Sequence, residues 1–477
     1  MSEPRKGSLL DPSTTWKDLG VSTHIVEALD SCGFPTPSST QTSALKHILQ
    51  KPYPSGLFEA PTGTGKTLAF LTAAMERVNK TINAPQVTIV AHTKILAIQI
   101  YGVAKDFGSQ CGISVGLCIR DEDMDKKDAP TEKTHVIVGL ALNLKSFFAG
   151  KVKRGSKGGP QRVPGVADAG KVIMAIVDEA DVFCQGNIKE DLRTFFSIIP
   201  PSAQRLMFSA TLNDNETEEL TELFIDRSKP FFSEKFSFYL GNTAQFIVAS
   251  PSIDDKLKII KNVLNINFGQ SSLSMFVFCE KKVEVDRVTE ILERDGYTVA
   301  HYHSDVKPKK RREMFHNFTA GNIHCMICTD GLARGIDVSQ VILVINLHPP
   351  VKWEDGIPKD GDSTVYIHRI GRGGRFGRAS IALTLFTEDE RKYVEQIKKE
   401  VTNRYECQKQ TDELVMELTG DMADVIKGDT DSLPVDNIYH QLRVKYKDLA
   451  ALVDKYEEEM RAQDPSVVGV DNNVEGL

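Results

Sequence analysis

Gly56-Leu57-Phe58-Glu59-Ala60-Pro61-Thr62-Gly63-Thr64-Gly65-Lys66-Thr67 decides how this chain folds. An apolar segment, Gly56–Glu59, runs into a glycine-bearing loop that leads into a helix. Glycines let backbone N–H groups turn inward on phosphates. Lys66 can then neutralise β/γ-phosphate charge, and the Thr67 hydroxyl can reach Mg²⁺. Thr62, Gly63, Thr64 and Gly65 form the cradle in this reading. Ala60 stands where the general pattern has Gly. Alone, the stretch says nucleotide and nothing narrower.

Outward from it, short apolar runs alternate with amphipathic helical stretches. The runs are Val87–Ala91, His135–Gly139, Val172–Val177 and Leu206–Phe208, then Met275–Cys279, Thr298–His301, Cys325–Thr329, Val341–Asn346 and Ile381–Phe386. Continuous apolar strands separated by helices imply parallel sheets covered on both faces. The pattern occurs twice, so two α/β lobes are expected, 16–232 and 233–400, after a tail of residues 1–15. Pro230, Ser233 and Gly241 mark the break. Residues 150–171, rich in Gly, Lys and Arg, read as a mobile surface loop. Residues 401–477 read as an acidic, partly helical extension, with His440–Met460 as an amphipathic helix.

Bulk numbers narrow the classes. A chain of 477 residues is too long for one core. No apolar run is long enough to span a bilayer, and Met1–Asp11 lacks a signal-peptide stretch. The 8 cysteines show no framework spacing, so a reduced compartment, cytoplasm or nucleus, is expected. Cys325 and Cys328 form a lone C-x-x-C inside an apolar run, a buried strand rather than a zinc site. Net charge is −7, but residues 401–477 hold 8 Lys/Arg and 17 Asp/Glu, a net of −9, leaving the rest at +2. Polyanion binding would have to rest on local grooves.

Val177-Asp178-Glu179-Ala180-Asp181 follows a buried strand, and Ser209-Ala210-Thr211 lies about thirty residues on. A carboxylate at a strand end facing the phosphate loop can hold Mg²⁺ through water, which suits Asp178. Glu179 can then orient and deprotonate the attacking water. The order and spacing of these segments resemble the DEAD-box family of RNA-dependent ATPases over roughly Trp16 to Glu400. Upstream, Gly33-Phe34-Pro35-Thr36-Pro37 leads to Gln41, with Trp16 before it. The resemblance implies that Trp16 stacks on adenine and that the Gln41 amide reads its edge. Thr40 replaces the usual Ile.

The second lobe carries Thr329-Asp330-Gly331-Leu332-Ala333-Arg334-Gly335-Ile336-Asp337 and His368-Arg369-Ile370-Gly371-Arg372-Gly373-Gly374-Arg375. These resemble the family's fifth and sixth motifs. By that resemblance Asp337 binds the ribose, while Thr329, Gly331 and Arg334 lie along RNA. Arg372 and Arg375 act as arginine fingers on the γ-phosphate. Ser209, Thr211, Asp181 and His368 couple hydrolysis to closure of two RecA-like lobes. ATP and Mg²⁺ are the implied cofactors, and single-stranded or short-duplex RNA is the implied partner of a monomer.

The RNA-side segments of the first lobe depart from the family. Its P-T-R-E-L-A appears as His92-Thr93-Lys94-Ile95-Leu96-Ala97, followed by Ile98 and Gln99; its T-P-G-R appears as Leu140-Ala141-Leu142-Asn143. Thr93, Lys94 and Gln99 remain the candidate RNA contacts there. Pro308 replaces the Gln of a Q-x-x-R segment in which Arg311 is kept. Each missing charge-assisted phosphate contact costs roughly 1.5–3 kcal/mol, so weak RNA binding is expected. Lys51-Pro52-Tyr53-Pro54-Ser55-Gly56 and Pro349–Ser363 are similar to features of the nuclear-pore mRNA-export branch, which works with an activator protein and a nucleoporin. The alternatives are a translation-initiation or ribosome-assembly helicase, an ATP-gated RNA clamp, and a DNA helicase of the same superfamily.

Overall fold

The alternation of apolar strands and helices becomes two sheets. The computed structural model describes residues 13–418 apart from Pro61, 121–125, 154–160, Gln185, 225–230, 236–242, 269–273, 333–340, 374–379 and 405–414. It divides into two compact units between Phe238 and Tyr239, past the expected break at 232, because Phe231–Lys235 pairs in parallel with Ser55–Glu59 of the first unit.

The first unit holds β1 (Ser55–Glu59), β2 (Val87–Val90), β3 (Val115–Cys118), β4 (Val136–Gly139), the short pair β5 (Lys151–Lys153) and β6 (Gln161–Val163), then β7 (Met174–Asp178), β8 (Gln204–Ser209) and β9 (Phe231–Lys235). Its helices are α1 (Thr23–Ser31), α2 (Ser39–Ile48), α3 (Lys66–Arg77), α4 (Lys94–Cys111), α5 (Ala141–Ala149), α6 (Gly186–Phe196) and α7 (Asp214–Phe224). Seven strands form a parallel sheet in the order β3-β4-β2-β7-β8-β1-β9. Alternation along each strand sorts side chains between two cores. Ile89, Ile176, Leu206 and Phe208 pack with α1, α3 and α4. Val90, Val177, Leu57 and Met207 pack with α5, α6 and α7.

The second unit holds β10 (Thr243–Ala249), β11 (Ser274–Phe278), β12 (Val299–Tyr302), β13 (Cys325–Cys328), β14 (Val341–Asn346), the hairpin β15 (Val351–Glu354) and β16 (Ile357–Gly361), then β17 (Ser380–Phe386) and β18 (Val415–Glu417). Its helices are α8 (Ile253–Phe268), α9 (Lys282–Arg294), α10 (Pro308–Thr319), α11 (Ser363–Ile370) and α12 (Arg391–Arg404). The parallel order β12-β13-β11-β14-β17-β10-β18 repeats the strand permutation of the first sheet. Both are open sheets with a switch point: between β2 and β7 in the first unit, between β11 and β14 in the second. Ligands of open parallel sheets bind outside the carboxyl ends of the strands, and in the first unit the strand ends that carry the candidate chemistry, β7, β8 and β1, lie to one side of this point.

Residues 150–171 are not a plain loop, because β5 and β6 pair antiparallel. The ends of that hairpin come so close to neighbouring backbone that side chains are excluded. A Cβ on Gly150 would lie 2.1 Å from the Val163 carbonyl oxygen, and one on Gly165 would lie 1.7 Å from that of Phe148. The lobe also does not stop at residue 400. α12 runs to Arg404, and β18 pairs in parallel with β10 at the sheet edge, burying Val415 and Leu418. His440–Met460 lies outside the described residues.

Candidate active site

The carboxyl ends of β1, β7 and β8 carry the candidate chemistry. After β1 the chain turns through Gly63 and Gly65, whose φ values are +81° and +91°. Gly65 caps α3, so the helix N-terminus, whose first N–H groups have no acceptor within the helix, starts at Lys66. A φ of +91° at Gly65 strains any side-chain-bearing residue, and a Cβ there would come within 2.2 Å of the Gln41 amide nitrogen and displace it. Lys66 Nζ donates to the Ala60 carbonyl at 2.6 Å, which folds the side chain back along the loop.

The adenine-side segment is tied to this loop. Ser38 caps α2 in a capping box with Gln41: its hydroxyl accepts from Gln41 N (3.2 Å), and its N–H donates to Gln41 Oε1 (2.7 Å). The Ser38 hydroxyl donates to the Thr64 carbonyl (2.7 Å), and Gln41 Nε2 donates to the Gly65 carbonyl (3.2 Å). The S-x-x-Q spacing was a legible capping signal that the motif reading passed over. An amide carries two donors and two lone pairs, so each end of Gln41 retains capacity for a base edge. Trp16 requires a correction. It is 1% exposed within the α1/α3/α4 core, and its indole N–H donates to the Phe34 carbonyl (2.8 Å). Its ring presents no open face on which adenine could stack, and its place is to hold the Phe34 turn.

At the end of β7, Asp178 is buried, and burial first, then the charge of Glu179, pushes its carboxyl well above the ordinary carboxylate range; Lys66 pulls in the opposite sense. A buried carboxylate short of positive charge is suited to a divalent cation. Thr62 Oγ1 is likewise buried with no protein partner. The hard oxygen donors Thr67 and Asp178, the cradle at a helix N-terminus and this electrostatic deficit fit Mg²⁺ with a nucleotide triphosphate. Glu179 has φ +53°, in the left-handed region, and its N–H donates to Asp178 Oδ1 (3.0 Å). Such conformations in non-glycine residues cluster at functional sites. At the end of β8, Ser209 Oγ donates to Asp181 Oδ1 (2.7 Å) and accepts from Thr211 N (3.2 Å). Glu59 Oε1 accepts from Leu212 N (3.3 Å), joining β1 to the same corner.

Thr93 caps α4, accepting from Leu96 N (3.3 Å), so its hydroxyl serves the helix. Lys94 is exposed on the first turn, and Gln99 lies a turn further on. Leu142, in the altered segment at the start of α5, is 44% exposed.

In the second unit, Thr329 and Gly331 follow β13. Asp330 between them holds Arg369 through two bonds, Nε to Oδ1 (2.5 Å) and Nη2 to Oδ2 (3.0 Å). Arg369 also donates to Asn346 Oδ1 (3.4 Å) and to the His348 carbonyl (3.3 Å). This fixes the fifth and sixth segments to each other, a pairing invisible in either alone. His368 is buried in α11, and Arg372 Nε donates to the His368 carbonyl (3.1 Å). Arg311 lies in the first turn of α10, 5.7 Å from the Tyr302 ring centroid. Arg334, Asp337 and Arg375 lie outside the described residues.

Comparisons with known proteins agree with this arrangement. A family model described as DEAD/DEAH box helicase matches residues 38–220, and one described as helicase conserved C-terminal domain matches residues 255–377. The ATP-dependent RNA helicase eIF4A of Schizosaccharomyces pombe is 30% identical over 387 residues, covering 80% of this chain and 90% of that protein. The structure of S. cerevisiae Dbp5 bound to RNA and ADP BeF3 matches with a TM-score of 0.72 at 21% identity, covering 89% of this chain and 100% of that one. A Dbp5 variant bound to nup159, gle1, ip6 and adp matches with a TM-score of 0.59 at 21% identity, covering 88% and 100%. At such identities the two structures speak for the fold alone.

Proposed function

The chain belongs to the DEAD-box ATP-dependent RNA helicases, and from that membership we propose how its residues divide the work and in which process it acts. The family's activity is ATP hydrolysis coupled to RNA. The observation that supports the residue roles best is the hydrogen-bonded set joining Ser38 and Gln41 to the phosphate loop, beside Asp178, Glu179 and the Ser209–Asp181 pair.

Gln41 recognises the base edge, and the Gly63–Lys66 backbone cradles the phosphates. Thr67 and Asp178 hold Mg²⁺, which when bound neutralises phosphate charge during transfer. Glu179 orients the attacking water and accepts its proton. Arg372 and Arg375, on the second unit, supply positive charge to the transferred phosphate, and Asp337 holds the ribose. Thr93, Lys94, Gln99, Arg311, Thr329, Gly331 and Arg334 contact RNA; Ser209, Thr211, Asp181 and His368 relay between hydrolysis and RNA binding. Steady-state ATP hydrolysis with and without single-stranded RNA tests the reading, with Glu179→Gln as control. Stimulation by RNA that disappears in the variant supports it; equal rates with and without RNA, in a protein that binds both, refute the coupling.

The finer role we propose is remodelling of messenger ribonucleoprotein during export, with an activator protein and a nucleoporin as partners at the nuclear pore. The sequence cues are Lys51–Gly56, where the Arg77 guanidinium stacks 3.4 Å from the Tyr53 ring, and the β15–β16 hairpin within Pro349–Ser363. Dbp5 has itself been solved with nup159 and gle1. The alternative is a translation-initiation or ribosome-assembly role, the chain being 30% identical to an ATP-dependent RNA helicase, eIF4A. An ATP-gated clamp with little unwinding is supported by one observation: Leu140 and exposed Leu142 offer RNA no polar group.

A further inference from the structure

The switch point of the second sheet lies between β11 and β14. The loop after β11 leads to Lys281 and α9. The loop after β14 leads into the β15–β16 hairpin, which turns at Asp355-Gly356, both with positive φ (50° and 77°). The hairpin is anchored on α12: Gly361 N donates to Gln396 Oε1 (2.7 Å), and Gln396 Nε2 donates to Asp360 Oδ1 (2.9 Å). A rigid ribbon therefore carries Trp353, which is 43% exposed. The Lys281 ammonium stands 5.2 Å from the Trp353 ring centroid and so links the two loops.

We propose that Trp353, with Lys281 beside it, is a stacking platform for an unpaired base of single-stranded RNA. The proposal rests on the reading of this chain as an RNA helicase. A large aromatic held open on a rigid ribbon is a site rather than core, and an indole face accepts any base. Its position suits a nucleic acid: β13, which delivers Thr329 and Gly331, is the neighbour of β11 on the side away from β14. The neighbouring cations are sorted. Lys282 is paired with Asp305 (2.7 Å) and Lys359 with Glu354 (4.0 Å), while Lys281 stands on the indole. The exposed charges on β15 and β16 are of mixed sign, Lys352 and Lys359 beside Glu354, Asp355 and Asp360, and they break the apolar surface of Trp353 and Ile357 into isolated faces, so the platform acts by stacking one flat base with Lys281 as its local cation rather than by a basic groove. The platform would also offset phosphate contacts missing at Leu140–Asn143.

The chain has 2 tryptophans, and Trp16 is buried, so RNA-dependent change in intrinsic emission reports Trp353. The full chain, with Mg²⁺ and a non-hydrolysable ATP analogue, is titrated with a ten-nucleotide oligoadenylate. Binding is measured separately by anisotropy of a labelled copy. We expect quenching of the wild type, roughly tenfold weaker binding for Trp353→Ala, and most of the affinity retained in Trp353→Phe. Equal melting temperatures of Trp353→Phe and wild type guard against misfolding. RNA bound equally by wild type and Trp353→Ala, with unchanged emission, overturns the platform, leaves the helicase reading intact and returns the patch to a protein partner. No RNA binding by the wild type overturns both.

Discussion

Glu179 shows how little of a catalytic residue is its identity. Its left-handed backbone and its N–H bond to Asp178 place the carboxylate beside a strand end already crowded with negative charge. Removing that charge in Glu179→Gln should retain ATP binding and lower turnover by about 10²–10⁴, as read by single-turnover hydrolysis. Gln41 makes a second case. Gln41→Ala deletes its bonds to Ser38 and to Gly65, each worth about 1 kcal/mol. Nucleotide affinity should fall at least fivefold, as measured with a fluorescent ATP analogue; an unchanged affinity would remove Gln41 from the site. Both residues were visible in the sequence through their motifs. The burial of Trp16 was not, because an aromatic at the right spacing carries no sign of which neighbours cover its ring.

Elements decide what the motifs can do. The helix that follows β10 in the second sheet occupies the topological place of α3 in the first, and it too carries a lysine in its first turn, Lys256. Here the lysine is spent inside the protein. Its side chain is 0% exposed and pairs with Glu390 (2.7 Å), which also bonds His348 Nδ1 (2.5 Å), while His348 Nε2 bonds Glu284 (2.7 Å). Burial alone would lower the His348 pKa, but its bonds to Glu284 and Glu390 reverse this and raise it to about 9. Burial alone would raise Glu390; its bonds to His348 and Lys256 bring it down to about 2. The imidazolium therefore contributes stability that is fully present below its ordinary pKa of 6.5 and lost as pH rises through about 9. The Glu390 contribution is present above 4.5 and lost as pH falls through about 2. The wild-type melting temperature should decline between pH 6.5 and 9, and His348→Gln should start lower and lack that part of the decline. Glu390→Ala, which strips Lys256 of its carboxylate, should cost roughly 3–5 kcal/mol in denaturant unfolding.

Across the whole molecule, one strand permutation occurs twice, yet only the first copy keeps a phosphate loop. The activity joins ATP to RNA, so the coupling must be reciprocal: the factor by which RNA tightens ATP should equal the factor by which ATP tightens RNA. Paired binding isotherms at one salt concentration check this, and unequal factors would reveal a missing state. The two parallel sheets, the phosphate loop and the acidic strand ends are legible in the amino-acid order, because continuous apolar runs and glycine-bearing loops are local signals. That Trp16 belongs to the core, that Arg369 serves Asp330, that Lys256 is paired with Glu390 and that Trp353 stands open follows from the folded arrangement alone. Each of these depends on residues far apart in the chain, and burial and charge pairing are set by which distant side chains the sheets bring together.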